Sequence, residues 1–219
     1  DFESAIGEFN KIVDGKNSVA QNAYYHLADA YLQTNRKQEA LNAFRNAYQM
    51  DFVPKIKEDS GLNYAKLSYE EGNPFHPVSS VLQNYLKQYP NSKSYQLIED
   101  LLVTSFISQQ DYQGALDFLS KNKPNENLEK THEISLYRGI QLFNSNESQN
   151  ALPYFLNAKK SVNKEIAARA QYWDAEINYL LENHKVALEK FIAFKKFNGA
   201  KETEEFNLID YNIGYSYFK

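Results

Sequence analysis

Two residue pairs offer chemistry by type and spacing: Tyr25 with Asp29, and Tyr172 with Glu176. Four positions apart on a helix, each ring shares a face with its carboxylate. Tyrosine gives contact area at low entropic cost and a hydrogen-bonding tip, while a carboxylate accepts from backbone N–H groups or basic side chains. This is the equipment of a surface that holds something. The histidines His26, His76, His132 and His184 are far apart and lack metal-ligand spacing, and the neighbours His132 and Glu133 point to different faces of a helix. There is no cysteine, which removes disulfides, thiolate zinc sites and cysteine nucleophiles together. No glycine-rich phosphate loop or Ser–His–Asp order can be picked out. No catalytic residue, cofactor or metal ligand is therefore expected. Trp173, the sole tryptophan, is expected to anchor packing, and the run Glu202-Thr203-Glu204-Glu205 to favour a helix N-terminus or form a solvated face.

The elements that position these residues recur. Six times a small apolar residue is followed four positions later by a bulky ring or leucine: Ala5/Phe9, Ala40/Phe44, Val78/Leu82, Ala115/Leu119, Ala151/Phe155 and Ala187/Phe191. Their leading members are 35, 38, 37, 36 and 36 residues apart, a period that marks stacked structural repeats. Between them lie apolar stripes at helical spacing, such as Tyr24, Leu27, Ala28 and Tyr31. Polar breaks interrupt the stripes at Thr34-Asn35-Arg36, Glu71-Gly72-Asn73-Pro74, Gln109-Gln110-Asp111, Asn144 to Gln149 and Glu182-Asn183-His184. Two helices and a tight turn make an antiparallel hairpin, the recurring unit. Pro153 fits inside a second helix only if that helix starts no earlier than about Ser148, so that the proline falls near its first turn.

Composition agrees. Tyr 17 and Phe 14 against Gly 8 and Pro 6 suit long helices packed face to face. A net charge of −4 lacks the basic field that phosphate binding needs, which argues against nucleic acid as partner. No stretch approaches 18 uninterrupted apolar residues, so no membrane span is expected. The chain opens at Asp1 inside an expected helix, which suggests a piece of a longer protein. The Asn-, Lys- and Tyr-rich style and the missing cysteine point to a bacterial source, and to the cell envelope ahead of the cytoplasm.

The pattern resembles the tetratricopeptide repeat. Tyr24, Leu27, Ala28, Tyr31, Ala40, Phe44 and Ala47 fill its slots in one unit, and Pro90 matches the terminal proline of the next. Lys66, Val103, Arg138, Asp174 and Asn122 depart from it. The resemblance implies an all-α, right-handed superhelical solenoid of antiparallel helix pairs, with about five full repeats, a half-repeat at each end and roughly 12 helices. Residues 1–17 would be the second helix of a preceding repeat, followed by repeats over 18–54, 55–92, 93–126, 127–162 and 163–200, and by a first helix over 201–219.

In that family the first helices line the concave surface, where partners bind. The implied partner-binding residues are Tyr25, Asp29, Asn63, Tyr64, Tyr137, Tyr172, Glu176, Tyr179, Tyr211 and Tyr215. The resemblance thus implies a non-catalytic scaffold that holds a peptide or protein segment in a Tyr-rich groove. Family members that grip acidic C-terminal tails use Lys, Arg and Asn where this chain has Tyr25, Asp29, Tyr64, Leu97 and Leu101, which argues against an acidic-tail ligand. The alternative is a carbohydrate-binding surface of a cell-envelope protein, since aromatic rings also stack on sugars.

Overall fold

The computed structural model describes residues 1–122 and 126–219, so residues 123–125 of the third expected repeat lie outside the description. The described chain is all-α, with twelve α-helices, two short 3-10 segments and no strand among the described residues. None of its helices is long and apolar enough to cross a membrane. Two compact units divide it, Asp1–Ser108 and Gln109–Lys219.

The first unit holds α1 (Phe2–Phe9), α2 (Ser18–Gln33), α3 (Lys37–Gln49), α4 (Pro54–Glu71), α5 (Val78–Gln88) and α6 (Tyr95–Ser108). Each helix packs on the next, and α4 also touches both α2 and α6. The second unit holds α7 (Tyr112–Lys121), α8 (Leu128–Asn144), α9 (Ser148–Ala158), α10 (Lys164–Leu180), α11 (His184–Lys196) and α12 (Ile209–Phe218), with 3-10 segments at Ala200–Glu202 and Glu204–Leu208. Again neighbours pack in order, and α8 also meets α10.

The expected breaks fall where the helices end, and each contains one residue of positive φ: Asn35, Gly72, Gln110, Asn146 and Glu182. At three of them the hydrogen bonds are those that close a helix with a left-handed residue. Asn35 N–H donates to Leu32 and Arg36 N–H to Tyr31; Asn146 and Glu147 donate to Phe143 and Leu142; Glu182 and Asn183 donate to Tyr179 and Asn178. The carbonyls left over at the helix end are satisfied this way, and the chain reverses within three residues. Helix starts are capped by side chains at Asn17, Asp111 and Asn163, and Pro54 opens α4 where no intrahelical partner for its nitrogen is needed. Helix α9 begins at Ser148, as Pro153 requires.

Small residues bring the helices together. Ala40, Ala115, Ala151 and Ala187 are fully buried, and Phe44, Leu119, Phe155 and Phe191 of the same pairs are at most 1% exposed. Ala5/Phe9 and Val78/Leu82 are less complete, since Ala5, Phe9 and Val78 are only partly covered. At Gly139 an added Cβ would stand 2.6 Å from the Phe155 ring, so the ring lies directly on the α8 backbone.

The segment leading from one hairpin to the next is pinned by a polar side chain. In the first unit Gln21, fully buried, donates to the Ala47 and Met50 carbonyls and accepts from the Phe52 and Val53 N–H groups. In the second, Glu129 near the start of α8 accepts from the Ser161 hydroxyl at 2.7 Å and from Val162 N–H at 3.1 Å. Gln21 satisfies backbone groups that burial would otherwise leave unpaired, and Glu129 does the same for the hydroxyl of buried Ser161.

Candidate functional site

In the first unit the expected site residues divide between surface and packing. Tyr25 on α2 is half-buried, its ring edge-on to Phe44 at 5.8 Å and to His26 at 5.4 Å. Its hydroxyl is pushed above its ordinary value by burial first, then by Asp29 and Asp59. Asp29 is also raised, by burial, with His26 at 4.0 Å working against the shift. Helix α4 brings Lys55 and Asp59 near, and these pair with each other at 3.1 Å. Asn63 on α4 turns its amide back to the Asp59 carbonyl of its own helix at 3.0 Å. Tyr64 is 3% exposed, its hydroxyl accepts from Asn73 at 2.8 Å, and its ring meets Tyr48. It packs the hairpin and offers no surface to a partner.

The second unit gathers more of the set. The first turns of α10 are fixed by the Asn163 cap, and small residues at Ala167, Ala168, Ala170 and Ala175 allow close packing. Tyr172 is 4% exposed, set among Trp173, Phe191 and Phe194. It too is a packing residue in its ring, yet its hydroxyl reaches the site. Asn212 on α12 donates to that hydroxyl at 2.9 Å and also to the Glu176 carboxylate, while the Tyr172 hydroxyl donates to Glu176. Burial holds the Glu176 carboxyl above the usual carboxylate range, and the bonds from Tyr172 and Asn212 pull the other way.

Beside this triad opens a cleft of about 180 Å³, lined by Glu176, Tyr179, Phe191, Tyr211, Asn212 and Tyr215. Tyr211 and Tyr215, 68% and 40% exposed, stack at 5.7 Å with 13° between their planes. Tyr179 meets Tyr215 at 6.0 Å. Its hydroxyl is raised by lost hydration first, then by Tyr215, Tyr211 and Glu176. Four expected residues thus share one cleft, and Tyr172 supports it from beneath. Tyr137 stands elsewhere, on α8, donating to Glu133 at 3.0 Å and lining a shallow surface with Tyr112 and Arg169.

Two residues that line the cleft escape sequence reasoning: Phe191, which belongs to the recurring core pair, and Asn212, whose only sequence signal is its place between Tyr211 and Tyr215. The acidic run also differs from expectation. Glu205 is 7% exposed, and one of its oxygens accepts from Arg169 at 2.9 Å and from the Trp173 indole at 3.1 Å. A 3-10 segment in place of a regular helix turns it inward, where the guanidinium offsets its burial. Trp173 packs as expected, stacked on Phe155 and edge-on to Phe143. Among the described residues no three His, Asp or Glu side chains converge as metal ligands. The chain matches no known family model and no curated protein.

Proposed function

We propose that this chain is a helical-repeat scaffold of the tetratricopeptide kind, its hairpins succeeding one another as a right-handed solenoid, and that it holds an extended segment of another protein without catalysis. The observation that carries the reading is the cleft between α10 and α12, where three tyrosines expected on an inner face meet around the expected carboxylate of Glu176. Rings with hydroxyl tips give contact area and adaptable hydrogen bonds, the composition favoured at surfaces that bind peptides. The recurrent buried small–large pairs and the left-handed hairpin turns support the repeat architecture.

The test is selection of peptides from a displayed random library on the full chain. Enriched peptides are expected to lose roughly tenfold or more in affinity when Tyr179→Ala and Tyr215→Ala are combined, as interface aromatics commonly do. Helical circular dichroism should stay unchanged. No enrichment, or equal binding by the double variant, would remove the reading. Binding confined to a glycan panel would favour the carbohydrate alternative.

A further inference from the structure

The carboxylates on and around α10 are not treated alike. Asp174, 1% exposed, accepts from both Lys159 and Lys190. Glu205, likewise buried, is paired with Arg169. Glu176, two residues beyond Asp174, takes only the neutral donors Asn212 and Tyr172, and among the described residues no Lys, Arg or His stands within ion-pair distance of it. Drawing a carboxylate out of water is costly, and neutral hydrogen bonds offset less of that cost than a cation does.

What the carboxylate does face is the cleft. Its walls are the rings of Tyr179, Tyr211 and Tyr215, with Phe191 in the lining. Aromatic faces carry negative potential and attract ammonium and guanidinium groups. The Lys219 ammonium already lies over the Tyr215 ring, 5.7 Å from its centre. A volume of about 180 Å³ suits one side-chain head group and its last methylenes, and is too small for a folded element. Carboxylate and ring faces together select positive charge and repel an acidic segment.

We propose that the cleft receives a basic side chain, lysine or arginine, presented by an extended segment of a partner protein, with the Glu176 carboxylate as counter-ion and Tyr179, Tyr211 and Tyr215 as its walls. This rests on the segment-holding reading and specifies the anchor.

Proton linkage gives the site a signature. The groups facing Glu176 are Tyr172 and Tyr179 on α10 and Tyr211, Asn212 and Tyr215 on α12. His184, at the start of α11, touches Tyr179 at 5.2 Å, and Lys219 covers Tyr215. A bound cation favours the ionised carboxylate, so affinity should rise as pH climbs through the titration of Glu176 and level off above it. The Glu176→Gln chain should lack that rise, and a His184→Gln background removes any imidazole step.

The experiment titrates the full chain with acetyl-Gly-Lys-Gly-amide, its arginine counterpart, its norleucine isostere and its glutamate version. Tyr179, Tyr211 and Tyr215 resonances report binding, alongside peptides drawn from the displayed library. The expected result is that lysine or arginine binds about tenfold more tightly than norleucine, that glutamate is excluded, and that Glu176→Gln removes the advantage. Tyr211→Leu, at an exposed position, should weaken the basic peptides without altering the thermal melt. If library peptides occupy the cleft regardless of their basic residue, the cationic anchor is overturned while the segment-holding reading stands. If peptides of no charge type bind, both fall. Self-association that broadens the same resonances without peptide would identify a second copy as occupant and overturn the proposal.

Discussion

Tyr25 with Asp29 on α2 and Tyr172 with Glu176 on α10 each set a tyrosine and a carboxylate four positions apart on the leading helix of a hairpin, yet they are built into different surroundings. On α2 the ring is half-buried and α4 supplies charged neighbours, Lys55 and Asp59. On α10 the ring is 4% exposed and α12 supplies an amide and two tyrosines. Spacing decides which side chains share a face. The next helix decides whether that face becomes core, open surface or a cleft.

The largest expected contrast is in stability. Tyr172→Ala should cost about 3–5 kcal/mol, the range for emptying a buried aromatic site, whereas Tyr25→Ala should cost about 1 kcal/mol. Urea denaturation of the two variants measures this directly. Equal losses would mean that helix position, rather than what covers the ring, governs the two sites.

A smaller contrast concerns the two asparagines. Asn212→Ala leaves the Tyr172 hydroxyl and the Glu176 carboxylate without a donor that bridges from α12, and should cost about 1–2 kcal/mol. Asn63→Ala removes only a bond to its own helix and should stay within about 0.5 kcal/mol. Chemical denaturation midpoints would separate them.

The hairpin turns give a third comparison. Glu182 holds φ 61 with a side chain that disfavours it, so Glu182→Gly should stabilise by about 0.5–1 kcal/mol. Gly72, at φ 76 and ψ 169, sits where only glycine is at ease, and Gly72→Ala should destabilise by about 1 kcal/mol or more. Thermal melts with opposite shifts are the expected outcome.

The smallest effect is in pH dependence. Asp29 and Glu176 are both raised, burial being the leading cause at each. The folded chain therefore keeps these protons to a higher pH than the unfolded one. Each contributes stability that declines as pH rises from the ordinary carboxylate value through the raised one. Asp29→Asn and Glu176→Gln should each flatten the slope of stability against pH over that window. An unchanged slope in both would contradict partial burial as the cause of the raised values.

Much of the local architecture is legible in the sequence because it is local. The breaks at Asn35, Gly72, Gln110, Asn146 and Glu182, and the start of α9 ahead of Pro153, follow from polar interruptions of apolar stripes. The pairs Ala40/Phe44, Ala151/Phe155 and Ala187/Phe191 are buried because a small residue admits a neighbouring helix and the ring fills the gap beside it. What stays hidden depends on partners distant in sequence. Gln21 carries no sequence signal of burial, but it is buried where it answers four backbone groups at the end of α3 and in the linker beyond it, 26 to 32 residues away. Glu205 reads as solvated until Arg169 and Trp173 are seen across from it. Tyr64 and Tyr172 are expected on a partner-facing surface, yet Ser60, Ser68, Ala168 and Ala175 one turn away are buried with them, and Asn73 and Asn212 bond their hydroxyls. No helical periodicity carries that information.

The most direct test of the central claim is the titration of the Glu176 side-chain carboxyl, followed by its carbon-13 resonance with and without acetyl-Gly-Lys-Gly-amide. A midpoint above that of an ordinary glutamate is expected in the free chain, moved downward when the lysine peptide is bound and unmoved by the norleucine isostere. A midpoint that both peptides leave in place would show that this carboxylate is not the counter-ion of a bound cation.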